Sequence, residues 1–126
     1  MKEYGLVAAA EAHKWTQIVS ECFDSDIYHT AAYHRLSEIQ EEGKAALFFF
    51  RHHDRLACFP LMLRDFASGY RDATSVYGYP GVLASVESPD PEFAAEFQRA
   101  LSQTLRDQRI VTVFSRLHPI IDTNWL

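Results

Sequence analysis

Four short stretches hold the residues best suited to chemistry. In Tyr77-Gly78-Tyr79-Pro80-Gly81, two hydroxyl-bearing rings stand on a strand opened by glycine. A position without a Cβ lets a substrate's backbone lie close, so this stretch would make a good ligand wall. The plainer alternative is a bulged edge strand with ordinary half-buried tyrosines. Ser115-Arg116-Leu117-His118-Pro119 ends a strand with two polar side chains at a sheet rim, where α/β proteins tend to bind ligands. Histidine in general has an unperturbed pKa near neutrality, so His118 could serve there as a general base; otherwise Arg116 pairs with a surface acid and His118 caps a loop.

Asp26-Ile27-Tyr28-His29-Thr30, followed by Tyr33-His34, puts aromatic and imidazole groups at the start of a helix. Such a helix N-terminus could meet an anionic or amide-bearing substrate, or these residues simply cap and pack. His52-His53-Asp54 hints at a metal, but neighbours on a hairpin tip rarely converge on one ion and no third ligand is suitably spaced. No metal site is therefore expected. Patterns for a nucleophile elbow, a Cys-His pair or a phosphate-cradling P-loop are missing.

These groups need a scaffold, and its centre is Ala45 to Arg64, AALFFFRHHDRLACFPLMLR. Two dense apolar runs, Ala45–Phe50 and Leu56–Leu63, flank a polar break and read as a β-hairpin with a slightly longer loop. Without clean alternation, both faces should be covered by other elements. Ahead of it the pattern predicts a strand over Glu3–Ala8 and a helix over Ala10–Cys22, with Trp15, Ile18 and Val19 inward. A second helix is expected over Thr30–Glu41, capped by Thr30, ended by Gly43, with Ala32, Tyr33, Leu36 and Ile39 as its stripe. After a polar connector, Asp65–Ala73, a strand begins at Ser75-Val76-Tyr77 and is broken by the Gly-Tyr-Pro-Gly irregularity. Asp90 and Pro91 start a third helix with Phe93, Phe97, Leu101 and Leu105 at intervals of four. A last strand, Ile110–Leu117, stops at Pro119.

At 126 residues with 48% hydrophobic content, the chain suits one folded domain. A formal charge of −5, with 12 scattered Lys and Arg, argues against DNA as a partner and against a polybasic membrane segment. The N-terminal stretch carries an acid early and an apolar run too short for a signal peptide, and no run reaches the length for membrane insertion, so the cytoplasm is the expected site of action. There Cys22 and Cys58 are expected as buried free thiols rather than a structural disulfide.

The predicted order β-α-α-β-β-β-α-β is that of the first half of a GNAT acyltransferase fold. The residues Asp26–His34, Phe59–Arg64, Ser75–Gly81 and Phe114–Pro119 together resemble the N-terminal subdomain of Fem-type (FemAB-like) peptidoglycan aminoacyltransferases and their GNAT-like relatives, over about residues 4 to 121. The resemblance implies an α+β fold with a mostly antiparallel sheet and helices on both faces, forming one subdomain over residues 1–126 that is the N-terminal half of a longer protein. In that family the first subdomain helps to bind the acceptor and the second carries more of the donor machinery. Carried over, Tyr77, Gly78, Tyr79, Arg116 and His118 become acceptor-groove candidates, with Tyr28, Tyr33 and Arg64 behind them; no residue takes a catalytic role.

The family's donor would be acyl-CoA or aminoacyl-tRNA, and its acceptor an amine-bearing small molecule or peptidoglycan precursor. Single-domain acetyltransferases hold the donor's pyrophosphate on a glycine-rich loop before the helix that follows the fourth strand. The equivalent region, Val82–Glu92, has no glycine and carries Glu87, Asp90 and Glu92. Three acids and no opened amides make a donor cofactor in this chain unexpected. The reading is an acceptor-binding half, inactive alone, whose partner is a C-terminal GNAT-like half. Alternatives are a non-catalytic module docking through an incomplete sheet edge, and an acetyltransferase completed by dimerisation. Trp125 and Leu126 at the end look like apolar groups wanting a partner.

Overall fold

Residue parity along the hairpin organises the molecule. The computed structural model describes residues 2–126. In β2 (Lys44–His52), Ala46, Phe48 and Phe50 enter one apolar layer while Ala45, Leu47 and Phe49 enter the opposite one. In β3 (Arg55–Asp65), Ala57, Phe59, Leu61 and Leu63 join the first layer, and Leu56, Cys58 and Met62 the second. Successive strand side chains point to opposite faces, so two near-continuous apolar runs need cover on both sides. The hairpin turns through His53 and Asp54 alone, tighter than expected, with His53 at a left-handed φ of 59°.

Cover comes from three helices. α3 (Pro91–Asp107) seals the first layer with Phe93, Phe97 and Ala100; the Phe97 ring meets Phe48 edge-on at 5.6 Å. Its start is as read: Asp90 accepts from the Phe93 N–H at 2.8 Å. Trp125 packs edge-on against Phe97 at 5.7 Å, so this apolar side chain finds its contact within the chain. The second layer lies under α1 (Ala12–Ser20), through Trp15 and Ile18, and under Ala31 of α2 (Ala31–Ile39).

The expected stripe of α2 is corrected. Ala31, His34 and Ser37 face inward, while Leu36 and Ile39 are exposed. The Trp15 and His34 rings lie 4.8 Å apart, and a close helix crossing over an indole favours small neighbours such as Ala31 and Ser37 over leucine.

With β1 (Lys2–Ala8), β4 (Arg71–Thr74), β5 (Leu83–Ala84) and β6 (Ile110–Phe114), the sheet has six strands in the order β1-β2-β3-β4-β6, β5 pairing β3 off this path. All pairings are antiparallel except β4 with β6, which α3 connects in parallel. The fold is thus α+β, mostly antiparallel, with helices on both faces.

The fourth strand is earlier than expected. It begins in the polar connector, where Arg64 of β3 stands opposite Asp72 and grips it with two hydrogen bonds of 2.9 and 2.8 Å. Ser75–Val82 lies outside any strand, and β6 stops at Phe114 rather than Leu117. Pro60, at home only where no ladder bond is needed, sits in the gap between the β5 and β4 pairings of β3.

Candidate functional site

Seven of the eight candidate residues, all but Arg64 of β3, gather where the chain leaves β4 and β6. The two strands pair as far as Thr74 and Phe114, and the Arg116 N–H then reaches the Ser75 hydroxyl at 3.4 Å. The chains next approach at Gly81, where an added Cβ would stand 3.0 Å from the His118 nitrogen and 3.1 Å from Leu117 Cα. Between these points Val76–Pro80 bulges outward, over the segment from Asp26 to Tyr33.

That segment is sewn to the bulge. The Tyr33 hydroxyl donates to the Tyr77 carbonyl at 2.8 Å, and desolvation first, then neighbouring Tyr28, Tyr77 and Glu42, raises its pKa, so it stays a phenol. The Tyr28 ring meets Tyr33 edge-on at 5.6 Å and lies over Gly78, whose φ is 110°. A Cβ there would fall 2.3 Å from the ring. The room beside both glycines is therefore filled by the chain's own groups.

Two imidazoles act as fasteners. His29 is fully buried; its Nδ1 accepts from the Asp26 N–H at 2.8 Å and its Nε2–H donates to the Pro80 carbonyl at 2.5 Å. Burial, the dominant cause, lowers its pKa. His118 donates through Nε2 to the Asp26 carboxylate at 2.9 Å and accepts at Nδ1 from the Ile120 and Ile121 N–H groups. Hydrogen bonds from His118, then from the Ile27 amide, hold the Asp26 carboxyl below its ordinary range. With both ring nitrogens engaged, His118 has no free lone pair with which to accept a substrate proton.

What remains free faces outward: Tyr77 is 78% and Tyr79 49% exposed, and the Arg116 side chain makes no ion pair among the described residues. Beside Tyr77 lies an open groove of about 310 Å³, with Met62 and Val76 in its lining and Glu41, Glu42, Arg64 and Ser75 around it. Arg64 is committed to Asp72, whose hydrogen bonds raise the guanidinium's pKa, so its charge is balanced and the two glutamates leave the groove negative. Glu41 is notable for its backbone. α2 ends in a Schellman turn, with Glu41 N–H on the Glu38 carbonyl and Glu42 N–H on Ser37, and Glu41 takes the left-handed position at φ 60°. This turn, not Gly43, ends the helix. Glycine ordinarily fills such a position, and a left-handed L-residue costs about 1 kcal/mol or more.

Sequence reasoning missed Glu41, Glu42 and Ser75. The only available signal was a Glu-Glu-Gly run just past a helix, and a left-handed glutamate leaves none. Among the described residues, no three His, Cys, Asp or Glu side chains converge as metal ligands, and no helix is long and apolar enough to cross a membrane.

At the other end of the sheet, Asp90 occupies the N-terminus of α3 with its own carboxylate. A cleft of about 170 Å³ beside the Val82–Glu92 connection is bordered by Asp24, Glu87 and Asp122, with no Lys or Arg in its lining. Both features disfavour a diphosphate.

Comparison with known proteins adds no kinship: no protein-family model, no curated protein and no solved structure matches the chain.

Proposed function

We propose that the chain is the acceptor-side half of a GNAT or Fem-like acyltransferase, holding an amine-bearing acceptor in the groove beside Tyr77 and leaving the acyl donor to another subdomain. The strand order, with its last two strands parallel around a helix, supports the fold family. The self-capped α3 and the acidic cleft beside it support the absence of a donor site. One observation carries the acceptor's chemistry: Glu41 is held left-handed at the groove, where glycine would be cheaper, and its carboxylate is not neutralised by the one cation present. Strain retained at a surface turn is a pointer to use.

Glu41→Gly separates the two roles of this residue. The variant is expected to gain about 1 kcal/mol in stability, by relieving the left-handed backbone. It should bind an alkyl diamine or a lysine amide about tenfold more weakly, in keeping with a lost exposed charge contact. Calorimetric titration with lysine amide, with its Nε-acetyl derivative and with coenzyme A reads this directly. Equal binding of the amine and its acetylated form would overturn the acceptor assignment, and binding of coenzyme A would overturn the missing donor site.

A second reading rests on the two sheet edges. β1 carries Lys2 and Glu3, charges that discourage edge pairing, whereas β6 exposes Val111 at 53% and Phe114 at 61%, followed by exposed Leu117. This flank suits a second copy of the chain. Light scattering across a concentration series is expected to show dimers, abolished by Phe114→Glu; monomers at every concentration would remove this reading.

A further inference from the structure

Cys22 and Cys58, 36 positions apart, carry sulfurs 3.7 Å from each other and no disulfide. From this juxtaposition we propose a reversible oxidation site: the two thiols form an internal disulfide when the protein meets a small-molecule disulfide such as oxidised glutathione. This inference is independent of the acyltransferase reading.

The two positions differ as an attacking and a resolving thiol must. Cys22 follows the C-cap of α1, is only half-buried, and makes a weak 3.8 Å contact with the Ile18 carbonyl. Cys58 lies in β3 between Phe49 of β2 and Leu83 of β5, with none of its surface exposed. The contact with Cys22 and burial together raise its pKa, so it waits as a thiol. Only Cys22 can be reached from solvent.

The Cys22 thiolate therefore attacks the small disulfide, forming a mixed disulfide and releasing one thiolate. The Cys58 thiol gives up its proton to that thiolate and attacks the Cys22 sulfur; the second small group leaves as a thiolate and takes up, through water, the proton that Cys22 released. Two protein thiols are oxidised and one disulfide is reduced to two thiols. Closing 3.7 Å to the ~2.05 Å of a disulfide is within reach of side-chain rotation and a slight shift at the end of α1. Cys22 lies just past the C-cap of the helix, where its side chain is not held within a helical turn on both sides.

The bond would matter where the segment after it leads. Phe23 donates its N–H to the Ala84 carbonyl at 2.8 Å, and the next residues bring Asp26, Tyr28 and His29 to the bulge. A covalent tie from Cys22 to the central strand fixes the root of this segment and cross-links a long loop, which restricts the unfolded chain.

The test is to equilibrate the whole chain in buffers of graded glutathione ratio, quench with acid, alkylate and weigh the protein. The expected product has no covalent link between chains, is lighter by two hydrogen atoms, has no free thiols, and melts about 10 °C higher than the reduced form. Cys22→Ser should abolish both the mass change and the shift in melting. Cys58→Ala should halt the reaction at a stable glutathione adduct on Cys22, and if that variant does not fold, peptide mapping of the oxidised wild type identifies the 22–58 link instead. A wild-type chain that stays reduced, that accumulates the glutathione adduct, or that forms only cross-linked dimers would overturn the proposal.

Discussion

Gly78→Ala is expected to lower stability by about 3 kcal/mol, seen as an earlier denaturant midpoint at unchanged slope. Two costs combine. A φ of 110° is open to glycine and strained for alanine, and the new methyl would lie 2.3 Å from the Tyr28 ring. The ring can escape only by leaving its edge contact with Tyr33 and its place near His118. In a Tyr28→Ala background the collision disappears and only the backbone part, about 1 kcal/mol, should remain. Equal costs in both backgrounds would show that the ring does not occupy the glycine's space.

The second large effect is acid sensitivity. His34 is fully buried, donates from Nδ1 to the Thr30 carbonyl at 2.9 Å, and finds no partner for Nε2 among the described residues. Desolvation, chiefly, lowers its pKa from 6.5 to about 4. The folded state therefore refuses a proton that the unfolded chain accepts. Its full contribution is present above the unfolded value, and stability falls as pH drops from 6.5 toward 4. The difference of 2.5 units (6.5 − 4) corresponds to about 3 kcal/mol. His29, lowered mainly by burial, adds to the loss with the same sign. The depressed carboxylates, Glu21, Asp26, Asp72 and Glu96, act only as pH falls below their ordinary values of 4.5 and 3.8, so the window above belongs to the histidines. Urea midpoints at about pH 7.5 and about pH 4.5 check this, and His34→Leu should remove most of the slope. A variant as acid-sensitive as the parent would place the effect elsewhere.

Much of the framework was legible because it follows from periodicity. Phe93 and Phe97 at a spacing of four do face the sheet, with Leu101 and Leu105 half-buried beside them. The hairpin's continuous apolar runs do mean cover on both sides. What was hidden depends on size and pairing instead. The buried face of α2 is set by the room that Trp15 leaves, so Ala31 and Ser37 enter and Leu36 stays outside. The strand at Arg71–Thr74 looked like a connector because a cross-strand ion pair, not an apolar residue, marks it. Of the candidate residues, those carrying rings lie together at the bulge, Tyr28 against Tyr33 and near His118, with the Tyr33 hydroxyl on Tyr77. The reason for the glycines was not open to reading: their space belongs to Tyr28 and to the 117–118 backbone. Proximity of Cys22 to Cys58 is likewise a product of α1 crossing β3, and no spacing announces it.

The parallel pairing of β4 with β6 also sets an order of assembly. The hairpin of β2 and β3 closes through neighbours in sequence, so it can form early. β6 reaches β4 only across the whole of α3, and that crossover carries a loop-closure cost that docking of Phe93 and Phe97 must first offset. On the ribosome, β1 to β4 and the two leading helices would therefore have emerged and paired while β6 was still in the tunnel. During that interval the face awaiting α3, with Phe48, Phe50 and Phe59, stands open to chaperones.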